Sequence, residues 1–243
     1  MDGQGLRAVL VLVHGAGGGA WEWDLWAEAL VHRCELVLQP VHLEPAEGGL
    51  EVTRVEDYVG QIVAHCNKVR VQGLSLFLVG ASMGGALVAL ASEAVQPAGI
   101  VFICSCVPRS IAPASGNRAE YPPVVRWAGG AVEETVAAMP DATLQVCTFA
   151  AARWRDESGA VLNQLMAWSE WDPSSKTKRH YLGVIPLDDD TVAPAEQIAF
   201  AEAIGAKALK YDGMSHVGPL LGERSHQVAA AVADWVLSCS SSS

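Results

Sequence analysis

The sequence predicts an α/β fold, a sheet of about six mostly parallel strands flanked by helices, with a helical cap inserted late in the chain. Three observations predict it. Short β-type apolar runs alternate with helical stretches, the pattern of a parallel sheet covered on both faces. Two runs, "LSLFLVG" and "AGIVFICSC", are uninterrupted and bounded by small residues, as for central strands buried on both sides. The rhythm breaks once, from Pro108 to about Lys178, into prolines, a Gly129-Gly130 pair and helical pieces holding Trp127, Trp154, Trp168 and Trp171. With 243 residues, 51% of them hydrophobic, the chain can bury a sizeable core as one domain.

Taken in order, "RAVLVLVHG" is the first strand, Trp21 to about Val31 a helix, and "CELVLQP" the second strand, followed by a loop rich in Pro, Glu and Gly. Val55, Val59, Ile62, Val63 and Cys66 fall on one helical stripe that packs on the sheet. "LSLFLVG", a helix and "AGIVFICSC" complete the first part of the core by residue 106. After residues 107–179, the inserted cap, the core resumes over 180–238 with "HYLGVIP", a helix from about Pro194 to Ile204, the strand "KALKYD" and a last helix with Val228, Val232, Trp235 and Val236 on one stripe. The serine-rich end, 239–243, reads as a disordered tail.

Charge narrows the partners. Against 27 acidic residues stand 16 basic ones, a net charge of −11 that repels nucleic acid and acidic membranes. The early apolar run, Ala8 to Val13, is too short for a signal segment or a membrane span, so a cytoplasmic protein without membrane insertion is expected. The six cysteines show no CxxC pair or metal-ligand spacing and read as reduced, mostly buried thiols. The expected partner is a small molecule, and a homodimer stays open.

Gly80-Ala81-Ser82-Met83-Gly84 matches G-x-S-x-G and lies between an expected strand and an expected helix. A serine on so sharp a turn takes strained backbone angles, and glycine neighbours let strand and helix approach while Oγ stands clear. The bland reading is a glycine-rich turn with an incidental serine. The second signal is "VLVHGAGGGAW", Val11 to Trp21, whose backbone-rich loop after the first strand would aim the Ala16 N–H where the Met83 N–H also points, forming an oxyanion hole. A dinucleotide fingerprint is the competing reading, but "GAGGGA" is followed by Trp-Glu-Trp-Asp with no basic side chain for a phosphate. His14 reads as a structural strand-end residue.

Of the seven histidines, His216 in the loop "DGMSHVGP" is the one placed at the carboxyl edge of a parallel sheet. The acid should lie between Ser82 and His216 in the chain, and "IPLDDDTVAPAEQ" offers Asp188, Asp189 and Asp190 just after a strand. A solvated turn or a cation site is the alternative for such a run. An EF-hand reading fails because the alternating ligand spacing is absent.

With these motifs in view, residues 7 to 237 resemble the serine-dependent α/β-hydrolase superfamily, and "VHGAGGGAWEW" is most similar to the branch of plant-type methylesterases and hydroxynitrile lyases. In that branch the acid precedes a Gln by eight residues in a D-x-x-I-x-P-x-x-Q pattern, which Val192, Pro194 and Gln197 match and which selects Asp189. The resemblance implies an α/β-hydrolase fold, catalytic Ser82, Asp189 and His216, and Ala16 and Met83 N–H groups as the oxyanion hole, with no metal and no cofactor. Two departures stand out. Ala81 replaces a His that many relatives carry before the serine, and Val217 replaces the Lys that lyases of the branch place after the histidine.

The expected reaction is hydrolysis of a carboxylic ester or thioester through an acyl-enzyme. A lyase or cyclase on the same scaffold, or a ligand receptor that kept the triad, are the alternatives. The tryptophan-rich cap, with few charges expected over the pocket, points to a small to medium, largely apolar substrate. Gly17, Trp21, Trp127, Trp154 and Val217 are the expected pocket residues.

Overall fold

The structure, a computed structural model, describes residues 5–111, 120–169, 171–172 and 179–240. The first half alternates strand and helix: β1 (Ala8–Val13), a 3-10 turn (Ala20–Trp23) running into α1 (Asp24–Ala29), β2 (Leu36–Val41), α2 (Val55–Val69), β3 (Ser75–Ala81), α3 (Met83–Val95) and β4 (Gly99–Ile103). The inserted segment holds β5 (Val124–Val125), α4 (Val132–Ala138), α5 (Leu144–Ala151), β6 (Glu157–Ser158) and α6 (Gly159–Met166). The core then resumes with β7 (His180–Pro186), α7 (Pro194–Ala203), β8 (Lys207–Tyr211), α8 (Gly218–Leu221) and α9 (Ser225–Ser240).

Six of the strands form one parallel sheet in the order β2-β1-β3-β4-β7-β8. Its strand directions put the carboxyl ends of β1, β3, β4 and β7 along one edge, where loops of an α/β sheet gather ligands. β1 explains why the apolar runs are continuous rather than alternating. Leu10 and Leu12 join Trp23, Trp26, Phe77 and Val232 in the core on one face, while Val11 and Val13 join Tyr58, Ile62, Leu78 and Leu87 on the other. Each side chain so buried contributes on the order of 2 kcal/mol to folding.

Three elements differ from expectation. The first helix is shorter and begins as a 3-10 turn, since Glu22 N–H reaches back to the Gly19 carbonyl. The inserted segment is not purely helical: β5 and β6 pair antiparallel, Val124 opposite Ser158 and Val125 opposite Glu157. The tail expected to be disordered from 239 is corrected at its first two residues, because α9 carries Cys239 buried against the core and Ser240 bonding the Val236 carbonyl. Cys239 extends the apolar stripe of Val228, Val232 and Val236, which outweighs its serine-rich setting. Residues 241–243 lie outside the described residues. Among the described residues no helix is long and apolar enough to cross a membrane.

Candidate active site

β3 ends at Ala81 and α3 begins at Met83, leaving Ser82 alone to reverse the chain. It does so at φ 52°, ψ −117°, a conformation that L-residues with a side chain rarely adopt. Backbone bonds hold the strain. Ser82 N–H donates to Ile103 O at 2.9 Å, and Ser82 O accepts from Gly85 at 3.0 Å and Cys106 at 3.2 Å. Glycines permit the crossing: a Cβ on Gly80 would lie 2.3 Å from Gly84 O, and one on Gly84 would lie 2.4 Å from Val13 O.

The loop after β8 brings His216 over this turn. His216 Nε2 stands 2.9 Å from Ser82 Oγ, and Nδ1 stands 2.9 Å from both oxygens of Asp189. With the carboxylate as acceptor, Nδ1 carries the proton and Nε2 is free to accept from Oγ–H. Asp189 is positioned in turn by the start of α7. Its Oδ1 accepts from Thr191 and Val192 N–H, each at 2.9 Å, and its Oδ2 from Gln197 Nε2 at 2.8 Å. Asp189 is buried, whereas Asp188 and Asp190 are exposed. Of the three adjacent carboxylates, only the middle one faces the imidazole. Such an arrangement can deprotonate a hydroxyl and stabilise the imidazolium that results.

The loop after β1 closes against the serine, where a Cβ on Gly15 would meet Ser82 Cβ at 3.3 Å. Ala16 and Met83 both line the cavity in front of Ser82, and Met83 is the first residue of α3, where amides have no acceptor within the helix. His14 is fully buried, donating from Nδ1 to Gly15 O and accepting at Nε2 from Leu43 N–H; burial lowers its pKa to about 3, so the ring is neutral. It is a strut under the loop. The inserted segment grips the same loop from outside. Arg155 donates to Gly18 O and Leu43 O, and the buried Glu157 accepts from Gly17 N–H at 3.1 Å and Tyr58 O–H at 2.7 Å.

Ser82 and His216 open on a cavity of about 1000 Å³ roofed by the inserted segment. Of the expected pocket residues, Trp127, Trp154 and Val217 line it. Gly17 and Trp21 do not, and the reason is packing. Trp127 covers the Gly17 Cα so closely that a Cβ there would lie 2.4 Å from the ring, and Trp21 is turned edge-on against Trp154 and Phe149. The roof is also more charged than expected, with Arg109, Glu120, Arg126 and Glu134 in the wall. Two of the tryptophans explain this, since Trp168 and Trp171 pack into the core instead, Trp171 against Phe102 and Tyr181.

Two groups of the wall were not singled out from the sequence. Glu22 is 4% exposed, and burial pushes its pKa up to about 8 against the weaker opposing pulls of Gly15 N–H and Arg155. Its only sequence signal is its place between two tryptophans, Trp21 and Trp23, just after the glycine run at 17–19. Cys104, at φ 39°, is buried beneath the serine, and burial with the nearby Asp189 carboxylate pushes its thiol well above the ordinary range. It is therefore an inert neighbour of Ser82. The described residues contain no cluster of His, Cys, Asp or Glu that could hold a metal ion.

Solved structures with this geometry of sheet and helices are numerous. That of polyneuridine aldehyde esterase superposes with a TM-score of 0.72 at 18% identity, covering 96% of this chain and 99% of that one. Tomato methylketone synthase I bound to 2-tridecanone superposes at 0.75 with 14% identity over 96% and 99%. A methylesterase from Arabidopsis superposes at 0.71 with 17% identity over 96% and 99%. At such identities the likeness establishes the fold. No curated protein sequence matches the chain at a significant level. The model of the alpha/beta hydrolase family, however, matches residues 10–231, nearly the whole described chain, and the protein belongs to that family.

Proposed function

We propose that the protein is a serine hydrolase that cleaves carboxylic esters or thioesters of small to medium, largely apolar substrates. The observation that carries this reading is the unbroken line from Ser82 Oγ through the His216 ring to a buried Asp189, each link at 2.9 Å. In the proposed reaction Oγ attacks the ester carbonyl as His216 Nε2 takes its proton, and Asp189 holds the tautomer and offsets the new charge. The carbonyl oxygen, now negative, is received by the Ala16 and Met83 N–H groups. Collapse of the intermediate expels the alcohol with the proton from His216. Water then attacks the acyl-enzyme with His216 again as base, releasing the acid and restoring Ser82.

Val107, Leu162, Leu165, Val192 and Leu220 give the cavity apolar walls for the acyl or alcohol group. The esterase names of two of the structural relatives agree with this reading. The residue after His216 is Val217, which brings no amine to the cavity and so favours hydrolysis over the lyase alternative. The test is Ser82→Ala with p-nitrophenyl butanoate. Activity should fall by at least ~10³-fold in a folded protein. A fluorophosphonate probe should label Ser82, and labelling at Ser105 or Ser110 instead would reject the assignment.

A further inference from the structure

Glu22 lies in the wall of the cavity that holds Ser82 and His216, yet the proposed reaction has no use for it. Its Oε2 accepts from Gly15 N–H at 3.4 Å, and among the described residues that is its one hydrogen bond. Among the described residues no cation forms an ion pair with it. Arg155, the nearest positive influence, is committed to Gly18 O, Leu43 O and His42 Nε2. The Cys104 thiol at the end of β4 is close enough to feel the charge of Glu22, and His216, Arg109, Glu120, Arg126, Glu134 and Glu196 line the same cavity. None of these is a hydrogen-bond acceptor for Glu22 in the structure.

A carboxyl so buried and unpaired is held in its neutral form at pH 7, and burial shifts its ionisation to about pH 8. The neutral acid has one O–H. Oε2 is taken by the Gly15 amide and Oε1 lies over Gly18; no partner among the described residues holds that proton, and the side chain lines the cavity. We propose that Glu22 is a specificity-determining hydrogen-bond donor of this cavity, selecting substrates that carry a second oxygen acceptor, a keto or ether oxygen, beside the scissile ester. For the ester itself the proposal rests on the hydrolase reading above. For the oxygen it rests on the burial and partners of Glu22 alone.

The test separates the two by measuring binding rather than turnover. Calorimetric titration of Ser82→Ala at pH 7 uses matched pairs: methyl pentanoate against methyl 4-oxopentanoate, methyl hexanoate against methyl 5-oxohexanoate, and butyl hexanoate against 2-methoxyethyl hexanoate. At least one oxygenated member should bind about tenfold more tightly than its partner, the size of one good buried hydrogen bond. Adding Glu22→Gln, which keeps a neutral donor, should retain that preference, and adding Glu22→Leu should abolish it. Raising the pH to 9.5 should weaken the preference with Glu22 present and leave it unchanged with Gln. Pairs that bind equally, or a preference that survives Leu, would overturn the proposal. If the Leu variant fails to fold, the pH comparison between Glu22 and Gln decides alone. Absence of turnover by the unmodified protein would count against the hydrolase reading and leave these binding results intact.

Discussion

Replacing Asp189 with asparagine removes one charge and exchanges one acceptor for a donor, and the neighbours dictate where that donor must go. Oδ1 receives two backbone amides, from Thr191 and Val192, so an NH2 in its place would face two N–H groups. The amide nitrogen is therefore driven to the Oδ2 position, where it meets Gln197 Nε2 at 2.8 Å and His216 Nδ1 at 2.9 Å. Gln197 can relieve the first conflict. Its Oε1 is buried without a partner, and a flip of the amide turns that oxygen toward the new NH2 while giving up Val192 O. The cost to stability is that of one hydrogen bond, about 1–2 kcal/mol.

No such exchange is open to His216. Its Nδ1–H faces an NH2 on one side and, on the other, a neutral carbonyl already holding two amides. The ring escapes by carrying its proton on Nε2, against Ser82 Oγ, in the tautomer that cannot accept from the hydroxyl. Turnover should fall by about 10³- to 10⁴-fold, or ~4–5.5 kcal/mol in the barrier, with only a modest drop in melting temperature. Asp188→Asn and Asp190→Asn alter exposed side chains and should stay within about threefold of the parent. The assay is kcat/KM on p-nitrophenyl butanoate at pH 8, with folding followed by circular dichroism. An Asp189→Asn enzyme within tenfold of the parent, or a severe Asp190→Asn, would refute the reasoning.

Two further predictions follow from buried carboxyls. Glu22 ionises near 4.5 in the unfolded chain and near 8 in the fold, so between these the folded state holds the extra proton and its stability falls as pH rises. The loss is at most about 1.4 kcal/mol per pH unit, and Glu22→Gln should flatten the decline in denaturation midpoint between pH 5 and 8; an unchanged slope would exclude Glu22 as its source. Glu157 holds the loop after β1 through Gly17 N–H without lining the cavity, so on the proposed mechanism Glu157→Ala should lower kcat about tenfold or more at nearly constant KM, and a change confined to KM would contradict that role.

What was legible in the sequence is what local pattern encodes. The inner strands β1, β3, β4 and β7 announce themselves as apolar runs because both faces are covered, the edge strands β2 and β8 are partly exposed and more polar, and the elbow shows because two glycines are needed where β3 and α3 cross. Asp189 was legible only through the spacing to Gln197, since three identical neighbours carry no local distinction until one of them meets His216. Glu157 and Glu22 were not legible. A glutamate reads as solvent-exposed, and what buries Glu157 is an amide at Gly17 and a hydroxyl at Tyr58, each about a hundred or more residues away. The β5–β6 ribbon escaped for a different reason, as two residues per strand are too few to show a period.

The glycine run at 17–19 shows how one local pattern can have several distant causes. Read alone, it is compatible with a phosphate cradle. In the fold each glycine answers to a separate body: Gly17, at φ +69°, lies under the Trp127 ring, Gly18 under the Glu22 carboxyl, and Gly19 against Trp21 and His42. Packing therefore accounts for the run residue by residue. Gly18 gives the sharpest consequence, because its φ leaves room for an L-residue and only the space is taken. A Cβ there would lie 1.8 Å from Glu22 Oε1 and 2.5 Å from Cδ, the far end of a side chain that can move. Gly18→Ala should thus push Glu22 off Gly15 N–H, disturb the loop beside Ser82 and lower both stability and kcat. In a Glu22→Ala background the obstruction is gone, and the same substitution should be nearly silent. The double-mutant cycle should show a coupling of about 1–2 kcal/mol in stability, in the range expected of side chains in direct contact. If Gly18→Ala costs the same in both backgrounds, the Glu22 carboxyl does not occupy the space above Gly18, and the glycine is required for some other reason.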